Sequence, residues 1–390
     1  MIAIRLTLIF IILFFLSGCS IGNDEVIENK YSSSPPIDIE LVEEIRIDIS
    51  EYGSGMYDNK FVFKENNTLY FLGYDGKSHG FDLINLTDRV IEKRIVINKE
   101  GPDGIQTVFK TFVHNLDSIF IVDYQLLKII DMEGHVRFSI PTVFPEDENI
   151  PEGNIINYND ADVFFDASIN RFYGFYFPFA NYEGGILKQN TPFVCWIDIK
   201  TRNVEVLPIK YPSLVRKNYD RIHEKMPNMK FINNKLFYGF PFLSNIYEFD
   251  FVSEISKSYG GKSKYSDNFS VIDNDGIYNY RLTGTIFYNL EFISCLSSYM
   301  RGHWGSQDIF QNDGSQSDNF TKDGYIIFFD RYFRYINEIK VDDSYWIEEY
   351  FVLDDHLYLY KKKPDRIEED FLIFGKFKFT QKSTSSSSLE

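Results

Sequence analysis

Residues 61–64 (Phe-Val-Phe-Lys), the pair Asn66-Asn67, residues 68–74, the pair Asp75-Gly76, and residues 80–83 and 90–97 make up the stretch that decides the fold. β-Branched and aromatic residues alternate with polar ones along it. The breaks fall on Asn-Asn and Asp-Gly, pairs that accept the left-handed backbone of tight hairpin turns. The stretch therefore predicts four antiparallel strands in a meander. The same arrangement returns at 107–113, 118–124, 127–131 and, after the turn Met132-Glu133-Gly134, at 135–140. Looser copies follow at 163–166, 172–177, 193–198 and 204–209, then at 230–238, 245–249 and 252–257, then at 286–295 and 325–341.

A last group, 346–353, 357–360 and 371–379, offers three strands only. Near the other end Ile37, Ile39 and Leu41, then Ile45, Ile47 and Ile49, alternate with polar residues and could supply the fourth. The expected fold is all-β, a β-propeller of about six four-stranded blades closed by an N-terminal strand joining the last blade. Closure of this kind protects the sheet edges that an open β-protein would expose. A pair of β-sandwiches is the alternative architecture.

Composition narrows the class. The chain has 390 residues, 44% apolar and 17% aromatic, enough for a large core. Its net charge of −17 speaks against a nucleic-acid or anionic-lipid surface as a main partner, although a local basic patch is compatible with it. At the start, Arg5, the apolar run 6–16 and Ser17-Gly18-Cys19 follow the order of a secretory signal. Leu16-Ser17-Gly18-Cys19 resembles the lipobox of bacterial lipoproteins, which implies cleavage before Cys19 and a diacylglyceryl thioether on it. The expected organisation is a signal peptide over 1–18, a flexible tether over 19–36 rich in Ser and ending in Pro35-Pro36, a propeller over 37–381, and a disordered tail over 382–390. The remaining cysteines, Cys195 and Cys295, lie in apolar stretches and read as buried free thiols in strands, with a disulfide as the other choice.

The lipobox, Gly101-Pro102-Asp103-Gly104 before a strand, the run Asn115 through Asp123, and the turn Asp131-Met132-Glu133-Gly134 resemble the uncharacterised six-bladed β-propeller lipoproteins of Bacteroidetes. The resemblance implies the fold and a cell-envelope, outer-membrane location, with the periplasmic or surface face open. It brings no catalytic residue.

Motifs for chemistry fall short of their requirements. The six histidines include no His-x-His, and His223-Glu224-Lys225-Met226 only opens a zinc helix motif, so no metal site is expected. Asp273-Asn274-Asp275-Gly276 lacks the closing Glu of a calcium loop, which would fall at Leu282. Gly261-Lys262-Ser263 has Ser256 where a phosphate loop needs glycine, and no Gly-x-Ser-x-Gly occurs. No cofactor and no catalytic residue is assigned. Asp160, Asp162 and Asp166 could supply a glycosidase's carboxylates, or a solvated loop.

The run 298–307, Ser-Tyr-Met-Arg-Gly-His-Trp-Gly-Ser-Gln, reads as a long inter-strand loop. Arg301, His303 and Trp304 in it are the candidate ligand-binding residues, able to stack on a sugar or grip a carboxylate, or else to pack on a neighbouring blade. The expected role is a lipid-anchored envelope propeller that binds a protein, peptide or glycan and meets the membrane through its anchor. The alternative is a carbohydrate hydrolase or lyase with carboxylates at the propeller channel.

Overall fold

The computed structural model describes residues 29–50, 57–101, 103–144, 152–155, 162–178, 182–183, 186–187, 191–221, 226–271, 282–310, 314–317, 321–362 and 370–381. Six antiparallel sheets follow one another along the chain. Blade 1 is Asn59–Glu65, Thr68–Asp75, Gly80–Asn85 and Val90–Val96; blade 2 is Lys110–Asn115, Ser118–Val122, Leu126–Ile130 and Val136–Pro141. Blade 4 is Asn228–Ile232, Lys235–Phe240, Leu243–Asp250 and Ile255–Tyr259, and blade 5 is Ile286–Ile293, Ser298–Trp304, Gly324–Asp330 and Tyr335–Lys340.

Blade 3 is built on Arg171–Pro178, Val194–Asp198 and Val204–Val206, and its inner position is shared. Phe164–Asp166 pairs with the beginning of Arg171–Pro178, and Gly153–Ile155 with its end. Blade 6 is Tyr345–Leu353, His356–Lys361 and Phe371–Gln381, completed by Ile37–Asp48, which runs antiparallel to Phe371–Gln381 from Ile37 opposite Gln381 to Asp48 opposite Phe371. The predicted closure by the N-terminal strand is present.

The core lies between the blades. Each of the six apolar clusters straddles one pair of neighbours around the ring: blades 1 and 2 share Phe81 and Ile121, for example, and blades 6 and 1 share Ile47 and Phe71. Flat aromatic rings suit the wedge between two twisted sheets, which accounts for the chain's high Phe and Tyr content. Because both faces of a middle strand are covered, Gly80–Asn85 and Ser298–Trp304 are buried at every residue.

Two expectations need correction. Cys195 is a buried free thiol in the strand Val194–Asp198, but Cys295 is exposed in a 3-10 turn, Ser294–Leu296, and is not a buried strand residue. The apolar letters around Cys295 belong to the strand end before it. Burial pushes the Cys195 thiol pKa well up, and burial with the Asp355 carboxylate raises that of Cys295 more modestly. Cys19 aside, an aromatic disulfide reagent should therefore titrate one thiol in the native protein and the second only on unfolding; two fast thiols would contradict the packing of blade 3.

The second correction concerns the tether. Its described end, 29–36, is laid on blade 5. Tyr31 forms a parallel bridge to Tyr335, the Ser32 N–H donates to the Tyr335 carbonyl at 2.8 Å, and Ser32 Oγ donates to Asp330 Oδ2 at 2.8 Å. The signal peptide, Cys19, the tether up to 28 and the tail from 382 lie outside the described residues, as do His223 and the Asp273–Gly276 turn.

Candidate functional site

The six inner strands surround an axial cavity of about 620 Å³. Its walls are residues of those strands, among them Lys60, Lys110, Phe164, Lys230, Glu291 and Tyr350. Two irregularities shape it. The inner strand of blade 5 slips register between Phe287 and Leu290, and that of blade 6 between Trp346 and Tyr350. Extra residues in a strand re-aim side chains, and here they set Tyr288, Asn289 and Glu348 on the cavity wall.

Tyr350 fixes the junction of these two strands. Its hydroxyl donates to the Asn289 carbonyl and accepts the Gly302 N–H at 2.9 Å. Glycine is required at 302, since a Cβ there would stand 2.6 Å from the Tyr350 ring. Similar side-chain links run around the ring. Asn59 Nδ2 donates to the Val108 carbonyl and Asn228 Nδ2 to the Phe287 carbonyl, each at 2.8 Å, tying the first residue of one inner strand to the next blade.

Charges alternate around half of the cavity. Lys110 Nζ in blade 2 is 3.1 Å from Asp162 Oδ1 at the entrance to blade 3, and Lys230 Nζ in blade 4 is 2.6 Å from Glu291 Oε1 in blade 5. Burial works against the Lys230 ammonium, yet Glu291 and Asp162 together outweigh it and hold its pKa above the ordinary lysine value. Burial pushes the Glu291 carboxyl up and Lys230 draws it down, while Asp162 adds to the rise. Both partners shift the same way because Lys230 feels two carboxylates, whereas Glu291 feels one ammonium and one repelling carboxylate.

Among the described residues two polar atoms in the wall have no hydrogen-bond partner: Thr111 Oγ1, on a residue only 3% exposed, and Asn289 Oδ1. Buried polar atoms are ordinarily satisfied. Left open beside a cavity of this size, they are places for a ligand or water to bind.

Arg301, His303 and Trp304, expected in a loop, occupy the strand Ser298–Trp304 and are 1%, 0% and 3% exposed. Two glycines and three polar-capable side chains gave this run the look of a loop, but a strand covered on both faces does not alternate. Arg301 reaches into blade 4 and donates to the Ser244 carbonyl at 2.8 Å, to those of Leu243, Asn245 and Phe240 at 3.3 Å each, and within blade 5 to Tyr288 at 2.9 Å. His303 Nε2 lies 2.7 Å from Glu338 Oε1, and Trp304 packs edge-on against Trp346 at 5.6 Å.

Of the three acids weighed together, Asp162 is in the cavity wall, Asp166 closes a surface turn through Ser168, and Asp160 lies outside the described residues. Lys110, Thr111, Lys230, Asn289 and Glu291 carry no motif in the sequence. A second hollow, of about 580 Å³, lies between Asp267, Ser270, Thr283, Gln307 and Asp308. Among the described residues no cation lines it.

A family model described as a domain of unknown function, DUF4221, matches residues 44–292. A solved member of that family from Bacteroides vulgatus superposes with a TM-score of 0.73 at 17% identity, over 90% of this chain and 100% of that one. A "putative exported protein" from Bacteroides fragilis superposes with a TM-score of 0.50 at 10% identity, over 90% of this chain and 98% of that one. Among curated proteins no sequence matches the chain.

Proposed function

The chain belongs to the DUF4221 domain family, and from that premise we propose that it is a lipid-anchored envelope protein whose propeller binds a peptide or glycan element of its partner in the axial cavity. The observation that carries this reading is the cavity wall itself. Two cations and two anions alternate from blade 2 to blade 5, with the unpartnered Thr111 and Asn289 oxygens among them. About 620 Å³ accommodates a chain end or a sugar unit, within the usual range of ligand pockets, and not the flank of a folded protein. Arg301 supports the wall from behind by holding the Tyr288 carbonyl. Export is supported by the charged, apolar and small-residue order of the first nineteen residues and by the description of the Bacteroides fragilis protein of like fold. Cys19 is the anchor.

Carbohydrate cleavage would need one proton-holding carboxyl and a separate charged carboxylate across from it. The raised pKa of Glu291 meets the first condition, but Asp162 and Glu291 are each held by a lysine, an arrangement for binding.

Peptide and glycan fractions released from envelope extracts provide the test. A ligand at a hundred times its Kd stabilises the folded state by about 2.7 kcal/mol, so the matching fraction should raise the melting temperature of the wild-type protein by a few degrees. Lys230→Met and Thr111→Val should abolish that rise. Without Lys230, Glu291 can take up a proton instead of standing as a lone buried charge, so the first variant folds. If no fraction shifts the wild type more than these variants, the cavity is not the binding site.

A further inference from the structure

We propose that the outer edge of blade 5, where the chain enters the fold, is a membrane-contact surface that settles on an anionic bilayer. The inference rests on the reading of Cys19 as the lipid anchor. Three segments meet there: residues 29–36, 258–266 and 331–337. Asn29 and Lys262 exchange hydrogen bonds at 3.2 and 3.3 Å, Lys264 Nζ lies 4.5 Å from the Tyr335 ring centre and 5.9 Å from that of Tyr31, and Ser32 and Arg334 both bind Asp330. None of the three segments contains an acidic residue, in a chain with 57 acids and 40 Lys plus Arg.

Of the described acids that adjoin these segments, Asp330 and Glu338 are turned inward and used, and Asp267, at the end of 258–266, is exposed. Asp330 is buried and pairs with Arg334 at 2.6 Å. Glu338 is buried and accepts from Ser263 Oγ at 2.7 Å and the Lys264 N–H at 2.8 Å, with His303 Nε2 also 2.7 Å away. Lys30, Lys262, Lys264 and Arg331 are exposed and make no ion pair among the described residues. Beside them stand Tyr31, Tyr265 and Tyr332, 67%, 60% and 57% exposed.

Exposed tyrosines interleaved with cations are the side chains that settle at a bilayer's headgroup level. The chain's path selects the bilayer over other occupants. Asn29 follows Cys19 by ten positions, a contour of at most about 36 Å, so an acylated Cys19 keeps this edge close to the lipid. A single basic patch adds a second, electrostatic hold to the acyl chains. The axial cavity is then carried beside the membrane.

Flotation of the mature chain with vesicles tests this, using phosphatidylcholine alone or mixed with phosphatidylglycerol. The unacylated chain, Cys19→Ser, should float with the mixed vesicles at low salt, stay behind with phosphatidylcholine, and detach at high salt. Lys262→Gln with Lys264→Gln should weaken the mixed-vesicle binding about 30-fold, from about five-fold per lysine. Lys77→Gln with Lys93→Gln on blade 1, the same loss of two charges, should change nothing. Tyr31→Ser with Tyr332→Ser should weaken it independently, which keeps the test intact if the lysine variant misfolds by circular dichroism. Equal flotation with both lipids, or flotation indifferent to the lysine and tyrosine changes, overturns the proposal. An unacylated chain that floats with neither also overturns it and leaves the patch to a protein partner. Mass spectrometry of Cys19 in the processed protein reads the anchor separately: an unmodified Cys19 defeats the anchor reading whatever the vesicles show.

Discussion

Replacing Arg301 by methionine is expected to destabilise the propeller by about 3–5 kcal/mol, read as a lower midpoint in chemical denaturation. The guanidinium is fully enclosed between blades 4 and 5 and makes no ion pair among the described residues. Five backbone carbonyls and the Phe287 ring, 5.0 Å away, solvate it instead. Burial presses its pKa down to about 10, a measure of how much this cation depends on those carbonyls. Methionine fills much of the volume but leaves acceptors without a donor in a place water does not reach. Lysine should rescue little, because one ammonium cannot replace a planar fork directed at four strand-end carbonyls of one blade and a fifth of another. The fit can be probed from the other side. A Cβ at Gly239 would come within 2.6 Å of the Arg301 Nη2, so Gly239→Ala should displace the same group and lower the same midpoint. An Arg301→Met protein with the parental midpoint would show that these carbonyls are satisfied without it.

Removing residues 29–49 should have a still larger effect: a chain that no longer folds cooperatively and aggregates. The lost segment buries Ile37, Ile45, Ile47 and Ile49, which are at most 4% exposed. At about 1.5–3 kcal/mol each, their burial is comparable with the whole stability of a typical domain, about 5–15 kcal/mol. The deletion also bares the length of Phe371–Gln381 as an open edge, a template for pairing between chains. Ile47→Ala is the graded version and should cost about 2–5 kcal/mol. Light scattering and thermal unfolding check both. A truncated chain that stays monomeric and melts where the parent does would mean that the ring does not need its N-terminal strand.

The sequence reading of blades 1 and 2 holds in the structure because their turns are written in residues with one physical meaning. Asn66 and Asn67 adopt φ of 48° and 67°, the left-handed hairpin values their identity suggests. The same signal stands at Asn233 and Asn234, with φ of 50° and 58°. Sequence alone takes 230–238 as one strand across this pair, whereas Asn228–Ile232 and Lys235–Phe240 form a hairpin. Blade 3 was blurred for a different reason, since two short pieces share its inner position.

The cavity was the least legible part. Lys110, Asp162, Lys230 and Glu291 each sit alone on a different blade, in segments whose neighbours are apolar, and only ring closure brings them together. No spacing rule along a chain records a relation among successive blades. Arg301 misled in the opposite sense: a cation next to glycine, histidine and tryptophan has the chemistry of a binding loop, and in the interior the same donors serve the backbone of a neighbouring sheet.

The pairing of Ile37–Asp48 with Phe371–Gln381 also orders events in time. Of the described strands the first to be synthesised finds its partner in the last, so it remains an unmatched ribbon while the strands between them emerge. Contacts between such distant parts of a chain form slowly, and the ring cannot lock on any shorter product. The finishing seam is withheld until Phe371–Gln381 has been made, and the first described strand to appear is also the one that completes the circle.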